Sequence, residues 1–178
     1  MSANPTNPGL GRVPWHNPKN DAQETEMLKI SLNNPESGWA YARLSDQSKE
    51  LLVTAPYSPD DVLRDFVDAV QSLQSAEAVE CCWSQEPGEL HWNLRRIDKD
   101  IEIEILKFPD IGFPSHHRGN AEPVFKARGR WVTFARQLLS SLESIKTDMG
   151  CEGYERAWRH SFPMEAYEKL RNAIQNEK

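Results

Sequence analysis

The stretch SQEPGELHWNLRRIDKDIEIEI, Ser84 to Ile105, decides how this chain folds. In Glu86-Pro87-Gly88-Glu89, proline presets φ for the first central position of a turn and glycine accepts φ > 0 at the second, which predicts Glu86 facing Glu89. That register sets Trp83 against Trp92, Cys81 against Leu94 and Glu80 against Arg95. A second two-residue connection at Asp98-Lys99 predicts Ile97 against Asp100, Leu94 against Ile103, Trp92 against Ile105 and Arg95 against Glu102. Both reversals put Val79, Cys81, Trp83, Leu90, Trp92, Leu94, Ile101, Ile103 and Ile105 on one face, as a half-buried sheet requires. The other face reads Glu80, Cys82, Ser84, His91, Asn93, Arg95, Glu102 and Glu104.

Upstream, Met27 to Leu32, Trp39 to Leu44 and Glu50 to Ala55 alternate between turn signals and are expected as strands of an antiparallel meander. In SPDDVLRDFVDAVQSLQ, Ser58 reads as the N-cap, Pro59 as the first helical residue and Asp61 as the third. Val62, Leu63, Phe66, Val67, Val70 and Leu73 form one apolar stripe, which leaves Asp60, Asp61, Asp65 and Asp68 towards solvent.

Downstream, residues 108 to 122 carry Pro, Gly and Asn without a period and read as a long loop. Pro123 to Arg128 is a strand candidate, and Arg130 to Met149 a helix ended by Gly150. A short helical turn from Tyr154 to Trp158 and a closing helix from Met164 to about Asn176 follow. The expected fold is α+β: an antiparallel meander sheet of about six strands packed against two or three helices. Residues 1–26, rich in Pro, Asn and Gly, read as a flexible arm, and 27–178 as a single domain.

Charge is uneven along the 178 residues. Ser58 to Glu104 holds twelve acidic against four basic side chains, a balance of −8, whereas 105–178 balances at +3. Such an acidic middle repels phosphate backbones and attracts cationic surfaces, which disfavours nucleic acid and favours a basic protein partner. The candidate partner-binding residues are Asp60, Asp61, Asp65 and Asp68 on the helix, with Glu80, His91, Arg95, Glu102 and Glu104 on the sheet. Three cysteines, two of them adjacent, give neither a disulfide framework nor a paired zinc motif and suit a reducing compartment. There is no apolar run of signal-peptide or membrane-span length, so a cytoplasmic protein without membrane contact is expected. A homodimer is compatible with the sequence.

Chemical motifs are sparse. Glu86 and Glu89 flank a turn tip, where nothing desolvates a carboxylate for acid–base work. His116-His117 lacks HExxH spacing, and no GxSxG, GxGxxG or GxxxxGK run occurs, so neither metal nor cofactor is expected. Cys82 lies diagonal to His91 in the predicted register, which leaves a thiol–imidazole pair open. The rival to a binding protein is a hydrolase-type enzyme. Its site would lie between the polar sheet face and the 108–122 loop and would use His91, His116, His117 and Glu102 or Glu104.

The runs YSPDDVL from Tyr57, EPGELHW from Glu86, VFKA before FARQLL, GYERAW and FPMEAYEKL together resemble a family of bacterial proteins of unknown function. The resemblance covers about Gly38 to Ile174 and extends loosely to immunity proteins of bacterial toxin systems. It implies a small cytoplasmic partner of a secreted toxin, and the −8 segment adds the expectation that the toxin is basic and neutralised by occlusion. It carries no catalytic residue onto this chain.

Overall fold

The computed structural model describes residues 28–85, 87–108 and 121–177. The N-terminal arm, Glu86 and most of the 108–122 loop, with His116 and His117, lie outside them. The architecture is α+β. Among the described residues, seven antiparallel strands form two sheets, one ordered β1 (Lys29–Leu32), β2 (Trp39–Ser45), β3 (Glu50–Pro56), the other β4 (Ala78–Ser84), β5 (Glu89–Ile97), β6 (Asp100–Phe108), β7 (Glu122–Arg130). The helices among the described residues are α1 (Val62–Ser72), α2 (Trp131–Trp158) and α3 (Met164–Asn176). No helix among the described residues is long and apolar enough to cross a membrane.

The alternation read from the sequence fixes the inner face of the four-stranded sheet. Trp83, Trp92, Leu94, Ile101, Ile103 and Ile105 are fully buried, and Val79 and Cys81 pack partly buried against the same core. Phe66 of α1 packs against both indoles, its ring 5.9 Å from Trp83 and 4.8 Å from Trp92, and the indoles themselves touch at 5.2 Å, so the three rings form one triangular cluster. Aromatic pairs of this kind contribute roughly 0.5–1.5 kcal/mol each beyond area burial. One contiguous set of buried side chains runs through both sheets and all three helices.

The second reversal forms as predicted, with Ile97 paired to Asp100, Leu94 to Ile103, Trp92 to Ile105 and Arg95 to Glu102. Asp98 takes the positive φ that this tight hairpin demands. The first reversal differs by two residues. Ser84 pairs with Glu89, so Trp83 faces Leu90, Cys81 faces Trp92, Val79 faces Leu94, and Glu80 faces Asn93 rather than Arg95. The cause is local: the Gln85 N–H donates to the Gly88 carbonyl at 2.8 Å, and Gly88 adopts φ +102°, which closes a four-residue loop. A shift of two preserves parity, so every side chain keeps its face while its neighbours change.

The start of α1 also differs. Asp61, not Ser58, is the N-cap; its carboxylate accepts from the Arg64 backbone N–H at 3.3 Å. The same Oδ1 accepts from Trp158 Nε1 at 2.8 Å, joining the helix start to the far end of α2, and Asp61 is therefore buried. The apolar stripe from Val62 to Leu73 is buried as the spacing predicts.

Gly150 interrupts the helical backbone of α2 with φ +65°, ψ +170°, a conformation that favours glycine. The chain then re-enters helix and reaches Trp158, which makes one bent element of the two helical segments read from the sequence. Before the bend, Gln137 Oε1 accepts from the Ile30 N–H at 2.8 Å and Ser141 Oγ from the Leu32 N–H at 3.1 Å, which satisfies the ladder donors that β1 turns away from β2.

Candidate functional site: the outer face of the four-stranded sheet

The helices pack on the inner face, so the opposite face of β4–β7 looks outward. Its cross-strand rows follow from the register. One row reads Ala78, Arg95, Glu102, Arg128; the next Glu80, Asn93, Glu104, Lys126; the next Cys82, His91, Leu106, Pro123; and at the end Ser84, Glu89 and Phe108 line up. Glu80 and Arg95 are exposed, and His91, Asn93, Glu102 and Glu104 are half-buried.

Cations from β7 answer part of the acidic segment. Lys126 reaches Glu104 at 3.4 Å, and Arg128 meets Asp100 through Nε at 3.0 Å and Nη2 at 2.9 Å, with Arg130 at 3.7 Å on the other oxygen. Arg128 thus turns to the buried Asp100 and not to Glu102, its partner in register. Lowered dielectric around a buried carboxylate makes that the stronger attraction. Glu80, Arg95 and Glu102 carry no ion pair among the described residues.

A second cluster sits where the face meets the first reversal. His91 Nε2 lies 2.9 Å from Glu89 Oε2, and the His91 ring packs on Phe108 at 4.5 Å between centroids. Cys82 is directly opposite His91, not diagonal to it, because of the two-residue shift. One donor atom from each of Cys82, Glu89 and His91 lies within 4.8 Å of the others. Although Cys82 is exposed as a residue, partial desolvation by its neighbours and then the Glu89 carboxylate push its thiol up to about 12, so at neutral pH it is a poor nucleophile. His91 engages Glu89 instead of Glu102 or Glu104, the carboxylates that the hydrolase reading paired with it.

The acidic helix forms a separate surface on the other side of the sheet. Asp61 is consumed by the cap and by Trp158. Asp65 pairs with Arg64 at 3.0 Å, Asp60 is exposed, and burial raises the Asp68 carboxyl against the opposing pull of Lys169 and Arg64. Beside them opens a cleft of about 450 Å³ lined by Arg64, Asp68, His160, Glu165 and Lys169 among others. Sequence reasoning missed this basic contribution from α3, because Lys169 lies about a hundred residues from the acids that it faces. The nine expected partner-binding residues therefore form two groups on opposite sides of one sheet.

Comparison with protein-family models, with curated proteins and with solved structures returns no match.

Proposed function

We propose that the chain is a non-catalytic, cytoplasmic protein-binding domain whose outer sheet face docks a partner with a basic surface. The resemblance makes that partner a secreted toxin, and the −8 balance of residues 58–104 makes it a basic one, neutralised by occlusion. The observation that supports the reading is the outward face of β4–β6, where Glu80 and Glu102 stand without an ion pair among the described residues. Charges of this kind raise association rates and set orientation more than they add affinity. The α1 acids contribute less, because Asp61 is buried and Asp65 already has Arg64.

The test is co-purification of the full chain with the product of the adjacent gene at low salt, followed by association kinetics. A complex is expected whose on-rate falls steeply with ionic strength and drops further in the Glu80→Lys/Glu102→Lys double variant. Failure to recover any complex, or a complex indifferent to both salt and charge reversal, would overturn the proposal.

A further inference from the structure

We infer that Cys82, Glu89 and His91 form a three-ligand site for a thiophilic divalent cation of the zinc class. This inference is independent of the partner proposed above. It begins with strand geometry. Residues directly opposite on neighbouring antiparallel strands project their side chains to one face with Cβ atoms roughly 4.5–5.5 Å apart, and residues i and i+2 share that face. Cys82 and His91 are such an opposite pair, and Glu89 precedes His91 by two. Three ligand types thus rise from one patch of a hydrogen-bonded sheet.

The distances suit a tetrahedral ion. Zinc binds sulfur at about 2.3 Å and imidazole nitrogen at about 2.0–2.1 Å, which puts its donors roughly 3.3–3.8 Å from one another. The three donors already lie within 4.8 Å. Side-chain rotation alone supplies the remaining contraction, since Glu89 and His91 keep 34% and 37% of their side-chain surface accessible. The ion would replace the 2.9 Å contact between His91 and Glu89 with bonds to both. Phe108 walls one side of the imidazole and limits its swing.

The donor set selects the metal. A thiolate beside an imidazole suits zinc, cobalt or copper, whereas calcium and magnesium take oxygen ligands. On binding, the Cys82 thiol gives its proton to solvent, the sulfur becomes the anionic ligand, and no oxidation state changes. Three protein ligands leave a fourth position for water or for a side chain of a docked protein.

The experiment titrates the full-length, reduced, metal-stripped chain with Co²⁺ and then displaces it with Zn²⁺. One equivalent of Co²⁺ is expected to give a thiolate-to-metal charge-transfer band, abolished by Zn²⁺ and absent in Cys82→Ser. In Cys82→Ser and His91→Ala the Zn²⁺ affinity is expected to fall by more than about tenfold, the loss that even outer-shell changes can produce. Cys81→Ser and Cys151→Ser should retain the band, with circular dichroism confirming that each variant folds. In the unaltered chain, Zn²⁺ should also slow iodoacetamide modification of Cys82, mapped by mass spectrometry. Absence of the band, its survival in Cys82→Ser, or alkylation of Cys82 unaffected by Zn²⁺ would overturn the site.

Discussion

The two faces of the four-stranded sheet are specified by different information. On the inner face only parity matters: Trp83, Trp92, Leu94 and Ile103 stay inside for any register that differs by an even number of residues. On the outer face the exact register matters, because it decides whether Cys82 meets His91 or Asn93 and whether Glu80 meets Arg95. Burial energy is collective and tolerant of neighbours, whereas an ion pair or a ligand set needs particular partners. The inner face therefore holds the fold, and the outer face holds whatever specificity the protein has.

Substitutions can test that division, beginning with the largest effect. Trp92→Ala removes the indole packed against both Phe66 and Trp83 and should cost about 3–5 kcal/mol in denaturant unfolding. A cost within 1 kcal/mol would mean that the inner face does not carry the stability assigned to it. Asp61→Ala probes a charged residue that belongs to the interior. It removes a helix cap and leaves the Trp158 N–H unpaired, for an expected loss of about 2–4 kcal/mol. An Asp61 that behaved like an exposed acid, with an effect near zero, would show that burial does not separate it from its neighbours on α1.

Asp68→Asn sharpens the contrast with an opposite sign. Burial raises this carboxyl above its ordinary value of 3.8. The folded state therefore holds the proton more tightly than the unfolded state does, and stability present below that value is lost as pH rises through the folded pKa. The amide should stabilise the protein at neutral pH by no more than about 0.5 kcal/mol, because solvent screens this partly accessible group, and the gain should vanish below about pH 4. Chemical unfolding at two pH values measures it. Glu102→Ala, on the outer face without an ion pair among the described residues, should change stability by less than about 0.5 kcal/mol while slowing partner association. A large loss of stability there would erase the distinction between the faces.

Much of the fold was legible in the residues themselves. Alternation in β4–β6, the stripe from Val62 to Leu73 and the run from Trp131 to Ile145 each put the observed side chains inside, because amphipathic periodicity directly records burial. The tight turn at Asp98-Lys99 was legible because a two-residue hairpin fixes its own register. The loop through Gly88 was not, since Pro-Gly permits both a two-residue turn and the longer loop that the Gln85–Gly88 hydrogen bond closes. That single ambiguity hid the meeting of Cys82, Glu89 and His91. The cap at Asp61 was hidden for another reason: its second partner, Trp158, lies 97 residues away, and local capping rules cannot sense it. Likewise the division of strands between two sheets depends on how α1 departs after β3, a tertiary matter that strand patterning does not encode.

The bonds from Ile30 and Leu32 to Gln137 and Ser141 bear on how this protein can associate. An unclaimed row of amides along a sheet margin invites another chain to add a strand, and repeated addition polymerises into fibres. With those two donors already engaged by helix side chains, the β1 margin has little to offer a new strand. Strand addition at that margin would first have to dislodge the Gln137 and Ser141 side chains of α2, which closes β1 to it and leaves β3, β4 and β7 as the other sheet margins.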